Sequence, residues 1–540
     1  MSNMINVFLI LISISFMTVL SFNCGSNQIN NTVHMVSSPK SKRQLDSKYT
    51  PIKIKMDYTY LESQGKSQYL TSKIKNVLDV TISLFESLLS INHIDFQYTN
   101  LHAVYYCGIK NYNKDITNWG TQYDLVIFPY FNDSLVSTSI QAAATACLAI
   151  EETMQPKMGV IMINPNLDFN QQNSEKFLEL LFLHEMSHVL IFHPTFFINL
   201  NMLTSKVINN ERIYYINSPK VVEKAKLHFG CSSIIGIPLE NYGGQGSAGS
   251  HWESRYMLGD YMIATDYPEI VISDISLAVF EDSGFYKVNY YSGGLFRFGK
   301  GEGCDFFNKN CIVDQGTPFA NEFCVNSQEP FCTSGHISKG HCYMVKYNSN
   351  IESYYQYFSE ANIGGYAPAA YCPISFDHLY DKSDYYLSTN CKLGKKSTIH
   401  SDYGEVIGDN SICVESSLVP TSSSQINMFR SICYLAKCDK DNQKVILTIG
   451  SGNVVCPKEG GTLNDPSGYK GKVNCPDYNS ICTSNEWCND PLDCIEKKIE
   501  ADTSSYSYSY QLRGVEANAA HYIGRLSLFS ISILMISLLI

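Results

Sequence analysis

Two histidines in the middle of the chain have the spacing of metal ligands. They lie in the segment His184-Glu185-Met186-Ser187-His188, and side chains four residues apart on a helix share one face. At Zn–N distances of about 2.0 to 2.1 Å two such imidazoles fit one zinc ion, and Glu185 lies beside them to accept a proton from water. The pattern predicts metal-assisted peptide hydrolysis. The alternative is a pair of surface histidines on an amphipathic helix.

A catalytic zinc site needs a third protein ligand and a fourth position left open. His193 is near in sequence, but the compact H-E-x-x-H-x-x-G-x-x-H pattern requires Gly and His where this chain has Ile191 and Pro194. His251 is a more distant candidate, in a Gly-Ser-His-Trp segment, and Met262 follows it by eleven residues. The pattern therefore disfavours His193 and leaves His251 as a candidate.

Hydrophobic periodicity predicts the elements that position these residues. Apolar residues recur with a helical period over Ser174 to Phe192, so this helix carries the first two histidines. Thr71 to Leu89 has the same period, whereas Ile52 to Tyr60 alternates like a strand. Tyr123 to Tyr130 and Gly159 to Asn164 are short runs rich in β-forming residues. This mixture predicts an α+β fold.

The later part of the chain is less regular. Residues 196–250 are expected to form a long connection, and 301–496 are rich in Gly, Tyr and Cys without a clear period. Of the 19 cysteines, fifteen fall between Cys304 and Cys494. With Cys24 set aside, the remaining eighteen could close nine disulfides in an oxidising compartment. We therefore expect a loop-rich region held by crosslinks more than by a large core.

Both ends of the chain resemble processing signals. Val7 to Leu20 has signal-peptide length, and Leu526 to Ile540 fits a removable GPI signal or a short membrane anchor. Asn30 and Asn132 are N-x-Ser/Thr glycosylation acceptors. These features predict a protein that is secreted or lies on the extracellular face of the cell surface. The predicted organisation is a signal peptide (1–21), a pro-segment (22–48), an N-terminal catalytic subdomain (49–195), a central subdomain (196–300), a Cys-rich domain (301–498), a Ser/Tyr stalk (499–520) and the terminal signal or anchor (521–540).

Composition excludes several classes of protein. The chain has 540 residues, 40 of them basic and 51 acidic, and its net charge of −11 has the wrong sign for a nucleic-acid partner. Apolar residues at 44% and charged residues at 17% exclude a mainly disordered chain. The long apolar runs lie at the two ends, which excludes a polytopic membrane protein. A globular body with processed ends remains.

Together these motifs resemble the leishmanolysin family, the protist surface metzincins in which a long insertion precedes the third histidine. The insertion here places His251 63 residues after His188. The segments that carry the resemblance are the helix motif, Gly249-Ser250-His251-Trp252 with Arg255, Asp260-Tyr261-Met262, Gly159 to Pro165, and the cluster from Cys456 to Cys494. The resemblance implies a metzincin-like catalytic domain with a twisted mixed sheet and an active-site helix, a central insertion region, and a disulfide-rich C-terminal domain.

The resemblance also implies roles for particular residues. His184, His188 and His251 would bind one catalytic Zn²⁺, Glu185 would be the catalytic base, and Met262 would lie under the metal in the Met-turn. These assignments predict a zinc-dependent endopeptidase that acts on extended peptides or proteins.

Three further implications concern regulation, substrate and the end of the helix. Cys24, upstream of Lys42-Arg43, resembles a cysteine switch whose thiolate fills the open zinc position until the pro-segment is cut. Ile191 stands where family members usually have Gly, so we expect a different turn or a weakened enzyme. Substrate would lie along a strand edge, either at the neighbouring strand or at Gly159, Val160, Ile161, Met162, Ile163 and Asn164.

Two other classes of function remain open at this point. One is a cysteine-rich surface adhesin or coat protein with a structural zinc site, or an inactive protease. The other is a hydrolase of small amides. Chelator-sensitive cleavage of an extended peptide that is lost on Glu185→Ala would distinguish the endopeptidase from both.

Overall fold

The protein is described here from a computed structural model. The residues that the structure describes are 33–37, 49–136, 138, 140–167, 174–241, 247–265, 267, 271–290, 296–327, 329–376, 389–391, 403–408, 410–424 and 428–482. The predicted signal peptide, Cys24, Asn30, the Lys42-Arg43 pair, the stalk and the terminal signal or anchor lie outside these ranges. Within them, every helix is too short or too polar to cross a membrane.

Helices and strands are mixed along the chain, which confirms the α+β prediction. The helices are α1 Thr59–Ser63, α2 Gln68–Leu88, α3 Ser174–Leu190, α4 Pro194–Asn199, α5 Pro219–Phe229, α6 Ser254–Met257, α7 Asp274–Asp282, α8 Asp305–Asn308 and α9 Tyr478–Cys482. The strands are β1 His34–Val36, β2 Thr50–Pro51, β3 Ile54–Met56, β4 Leu89–Ile91, β5 Leu125–Phe131, β6 Ala142–Ile150, β7 Pro156–Ile163, β8 Leu203–Ile208, β9 Glu211–Ile216, β10 Ile237–Pro238, β11 Tyr286–Val288, β12 His341–Tyr343, β13 Val345–Lys346, β14 Ile363–Gly364, β15 Ile374–Phe376, β16 Ser411–Ser416, β17 Val419–Pro420, β18 Arg430–Asp439, β19 Lys444–Ile449, β20 Gly452–Val455, β21 Gly461–Asn464, β22 Tyr469–Lys470 and β23 Lys472–Cys475.

A five-stranded sheet with the order β1-β6-β7-β5-β3 supports the candidate site. Strand β5 pairs in parallel with β3 and β7, β6 is antiparallel to β7, and β1 is parallel to β6. Every residue of β6 and β7 is buried, as is nearly all of β5. Both faces of these strands are covered, so their sequences are nearly continuous apolar runs, interrupted by Thr145 and Lys157, and do not alternate with polar residues.

The prediction that residues Gly159 to Asn164 form a substrate-binding edge is wrong for this strand. Strand β7 is hydrogen-bonded to β5 on one side and to β6 on the other, so its backbone groups are already paired. The neighbouring strand β6 lies closer to the edge of the sheet than β7. On its outer side β6 pairs with β1 through Leu148 to Ile150, and within the described residues no strand pairs with that side of Ala142 to Ala146.

Helix α3 packs directly on this sheet at a glycine. A Cβ atom added to Gly159 of β7 would lie 2.2 Å from Cγ1 of Val189 and 3.2 Å from the Thr145 carbonyl oxygen. Val189 is fully buried and follows His188 in sequence. The absence of a side chain at Gly159 therefore sets how closely the histidine-bearing helix approaches the sheet.

We expect Gly159→Ala to lower the free energy of unfolding by about 1 to 3 kcal/mol, the usual effect of overpacking a core. The extra methyl must move Val189 and with it His188, so zinc affinity should fall as well. Thermal unfolding and zinc titration measure the two effects. Gly408→Ala is the matched control, because a Cβ there meets nothing within 4 Å and the backbone is outside the left-handed region. Equal stability of the two variants would contradict the close-packing argument.

Four predicted elements match the structure to within a few residues, and one ends early. The helices at 71–89 and 174–192 are α2 and α3, and the strands at 123–130 and 159–164 are β5 and β7. The strand predicted from Ile52 to Tyr60 stops at Met56 in the structure. The Asp57 carboxylate accepts hydrogen bonds from the backbone N–H and the hydroxyl of Thr59, which turns the chain into α1.

The region 196–250 is not the long connection that was predicted. It contains α4, the β8–β9 hairpin, α5 and β10. The hairpin turns at Asn209 and Asn210, whose φ values of 52° and 65° match a type I′ turn. Strand β10 pairs with β9 and leads toward the segment that bears His251.

The Cys-rich region has a core of its own, contrary to the expectation that crosslinks replace one. A six-stranded sheet, β20-β19-β18-β16-β23-β21, buries residues such as Val414, Ile432 and Leu447. The described residues form eight of the nine expected disulfides, and Cys488 and Cys494 lie outside the described ranges. The pairs are Cys107–Cys147, Cys231–Cys304, Cys311–Cys372, Cys324–Cys342, Cys332–Cys413, Cys391–Cys433, Cys438–Cys482 and Cys456–Cys475. Their concentration near the C terminus is as predicted.

Candidate metal centre

The three predicted histidine ligands meet at one point in the interior. The Nε2 atoms are 3.0 Å apart between His184 and His188, 3.1 Å apart between His184 and His251, and 3.2 Å apart between His188 and His251. All three side chains are buried. Within the described residues, no fourth His, Cys, Asp or Glu joins this group.

Each imidazole is oriented by a hydrogen bond from its other ring nitrogen to a main-chain carbonyl oxygen. The Nδ1–H group of His184 donates to Tyr261 at 2.7 Å, that of His188 to Phe192 at 2.6 Å, and that of His251 to Ser247 at 2.8 Å. A carbonyl can only accept, so the proton lies on Nδ1 and the Nε2 lone pair is the one that can bind a metal.

The electrostatics of the group match a cation site. Burial lowers the pKa of His184 to about 3 and that of His251 to about 4. Burial and the two neighbouring imidazoles hold the pKa of His188 well below its ordinary value. All three rings are therefore neutral, and their lone pairs face one another. Because tetrahedral zinc with Zn–N distances of about 2.0 to 2.1 Å places its nitrogens about 3.3 Å apart, this donor set fits zinc.

His251 reaches the helix through a short hydrogen-bonded segment. Gly249 has φ of 83°, in the left-handed region that favours glycine, and its N–H donates to the Glu240 carbonyl oxygen at 2.9 Å. The Glu240 N–H donates to the His251 carbonyl oxygen at 2.9 Å, and the Trp252 N–H donates to that of Met262 at 3.0 Å. The third histidine is thus held between the continuation of β10 and the chain around Met262.

The other predicted site residues lie close to this centre in sequence or in space. Glu185 is fully buried between the two helical histidines. Met262 is also fully buried, and its main chain bonds to the residue that follows His251. Their catalytic and Met-turn roles stay predictions. The Asn132 side chain caps a short 3-10 turn by accepting the Ser134 N–H at 3.1 Å, and its glycosylation likewise stays a prediction.

The end of α3 shows how Ile191 is accommodated. The N–H groups of Ile191 and Phe192 both donate to the Ser187 carbonyl oxygen, at 2.9 and 2.8 Å, and Ile191 is outside the left-handed region. The chain therefore leaves the helix by a different turn, and that turn directs the Phe192 carbonyl toward His188. His193 lies beyond it and caps α4, its Nδ1 accepting the Thr195 N–H.

Tyr261 is a site residue that sequence reasoning missed. Its carbonyl oxygen orients His184, and its hydroxyl lies 2.9 Å from Ser187 Oγ, one residue before His188. The carbonyl contact leaves no signal in residue type, because any residue supplies a carbonyl, and neither contact leaves a signal in spacing. The neighbouring Met262 was the only indication that this segment approaches the helix.

Comparisons with known proteins identify the family of this chain. The peptidase M8 family model, described as leishmanolysin, matches residues 30–488. A leishmanolysin homolog of Crithidia fasciculata is 27% identical over 423 residues, which cover 75% of this chain and 62% of the relative. Leishmanolysin of Leishmania tropica is 25% identical over 360 residues, which cover 64% of this chain and 53% of the relative. A leishmanolysin-like peptidase of Caenorhabditis elegans is 27% identical over 317 residues, which cover 52% of this chain and 47% of the relative.

The alignments therefore span less than two thirds of the length of these relatives. The family match nevertheless extends over most of the chain and includes the helix motif, the third histidine and most of the Cys-rich region. It disfavours an adhesin unrelated to peptidases. The chain belongs to the leishmanolysin family of zinc metalloproteases.

Proposed function

We propose that this protein is a secreted or surface-attached zinc endopeptidase. The observation that carries the proposal is the convergence of three neutral imidazoles, with Nε2 atoms 3.0 to 3.2 Å apart and each Nδ1 held by a carbonyl. Eight disulfides support an oxidising, extracellular compartment. Attachment by a GPI group or a short C-terminal anchor is part of the proposal.

Within this proposal His184, His188 and His251 hold the metal and Glu185 handles the proton. A zinc ion bound here would polarise the peptide carbonyl and make a water molecule more acidic. The Glu185 carboxylate accepts a proton from the water while the water oxygen adds to the carbonyl carbon. Glu185 then gives that proton to the amide nitrogen as the C–N bond breaks. The three Nδ1–H···O=C bonds keep the imidazoles in the tautomer that binds metal.

The proposed substrate is an extended peptide that binds along the outer side of β6. Strand β6 packs against α3 and lies outside β7, and within the described residues no strand pairs with the outer side of Ala142 to Ala146, which are buried in this structure. Main-chain hydrogen bonds of this kind do not depend on side-chain identity. We therefore expect broad sequence preference.

Removal and return of the metal tests the proposal against a structural zinc site. Purified protein is incubated with casein and with an extended peptide, with a chelator, and with the chelator followed by zinc. We expect cleavage at internal bonds that the chelator stops and zinc restores. Bound zinc without any cleavage would favour a coat protein or an inactive protease. Cleavage that resists the chelator and persists in zinc-free protein would contradict a metal mechanism.

A further inference from the structure

A buried chain of hydrogen bonds starts at the residue after His251. The indole Nε1–H of Trp252 donates to the Ser276 hydroxyl oxygen at 2.7 Å. The Ser276 hydroxyl in turn donates to the Asp260 carboxylate, with both carboxylate oxygens at 2.8 Å. All three side chains are fully buried. We refer to Trp252, Ser276 and Asp260 as the Asp260 chain.

The Asp260 carboxylate also accepts two main-chain donors, one on each oxygen. The Met262 N–H donates to Oδ1 at 2.8 Å, and the Ser273 N–H donates to Oδ2 at 3.3 Å. Burial raises the pKa of the Asp260 carboxyl to about 6, and these hydrogen bonds oppose the rise. At pH 7.5 the group is therefore an ionised acceptor enclosed by donors, and it ties the main chain at Met262 to that at Ser273.

The Asp260 chain is linked through the main chain to two of the three histidines, His184 and His251. Trp252 follows His251 directly, and its own N–H is bonded to the Met262 carbonyl oxygen. Tyr261, between Asp260 and Met262, supplies the carbonyl that accepts the His184 Nδ1–H. Asp260 is therefore adjacent in sequence to Tyr261, whose carbonyl orients His184, and it is connected to Trp252 by two hydrogen bonds through Ser276.

We propose that Asp260 is a positioning residue that sets the relative placement of His184 and His251 through Tyr261 and Trp252. The inference rests on the proposed metal site. Replacing a residue that positions a metal ligand without binding the metal typically lowers metal affinity by about 10- to 100-fold. Asp260 would act in this way although it touches no candidate ligand side chain.

Asp260→Asn is the direct test. Its amide replaces one acceptor oxygen with an NH₂ donor, so whichever way it points, either the Met262 or the Ser273 N–H loses its acceptor. We expect zinc affinity of the full-length apoprotein, measured by competition with a chromophoric chelator, to fall by about 10- to 100-fold. Cobalt(II) titration adds a readout, since its visible spectrum reports ligand placement and is insensitive to global stability.

Milder variants keep the test decisive if Asp260→Asn does not fold. Trp252→Phe removes the indole donor and Ser276→Ala removes the hydroxyl between it and Asp260. The Trp252–Ser276 and Ser276–Asp260 hydrogen bonds follow one another, so Ser276→Ala already breaks the connection. The double variant with Trp252→Phe and Ser276→Ala should therefore bind zinc no more weakly than Ser276→Ala alone. Ser283→Ala is the matched control: its buried hydroxyl donates to the Phe280 carbonyl at the end of the same helix, away from Asp260.

The outcomes separate this inference from the proposed function. If the wild-type protein does not bind zinc, the proposed function fails. If it binds zinc and cleaves peptide while the folded Asp260, Ser276 and Trp252 variants bind zinc with unchanged affinity and unchanged cobalt spectra, the positioning role is overturned. A loss of affinity that Ser283→Ala reproduces would show a general effect of stability and would also overturn it.

Discussion

Replacing Glu185 with Gln is expected to lower kcat for peptide cleavage by about 10²- to 10⁴-fold while zinc binding stays unchanged. Gln has the same size, so the fully buried position can hold it without a cavity. An amide cannot accept the proton that water must lose, and Glu185 is outside the group of three converging nitrogens. Cleavage of a fluorogenic peptide and zinc content per chain measure the two parts of this prediction.

Glu223→Gln is a suitable control because it makes the same substitution on another helix, α5. Glu223 is half exposed and pairs with Lys220 at 2.9 Å, so its loss should leave both activity and zinc content unchanged. Full activity in Glu185→Gln would place the base elsewhere. Loss of zinc in that variant would mean that Glu185 is structural, and the assigned role would be wrong.

The candidate site was largely predictable because metal binding restricts residue types and spacing. Two imidazoles four residues apart on a helix can be recognised without any structure, and His251 was assigned through the resemblance to the leishmanolysin family. The groups that orient these rings were not predictable. The carbonyls of Tyr261, Phe192 and Ser247 could belong to any residues, so only the fold shows that they face the histidines.

Strand β6 shows why the sheet order was not predicted. Its sequence contains five alanines, and alanine is depleted in strands, while burial on both faces removes the alternation that marks a half-exposed strand. Without β6, the β7 strand looks like the last one before the helix and hence like an edge. The error in the substrate strand thus follows from one element whose conformation is decided by tertiary packing.

The central and C-terminal regions were underestimated for a different reason. Strands such as β17 and β22 are two residues long, too short to show a period, and β8 is largely exposed. Disulfides add to this effect, because a crosslink supports a strand that its own sequence would not specify. The cysteines correctly indicated disulfides, but they concealed a second core of ordinary apolar residues.

Substituting Ala for His251 is expected to abolish cleavage and to weaken zinc binding. The loss of zinc affinity should exceed the factor of about 10 to 100 that is typical when a residue hydrogen-bonded to a metal ligand is replaced. His251 is the one candidate ligand that lies outside α3, so its loss leaves two imidazoles on a single helix and no third nitrogen within the described residues. His251 lies outside α3 and the five-stranded sheet, so we expect the variant to fold. Zinc content, chelator competition and thermal unfolding measure the result.

His193→Ala is the matched control because His193 is the rival third ligand near the helix end. It should lose the cap of α4, which costs about 0.5 to 2 kcal/mol, and keep its zinc. The opposite pattern, zinc lost from His193→Ala and kept in His251→Ala, would move the third ligand and overturn the proposed site. A bound ion stabilises only the state that binds it. A chelator should therefore lower the unfolding temperature of the wild-type protein and of His193→Ala, but leave that of His251→Ala unchanged.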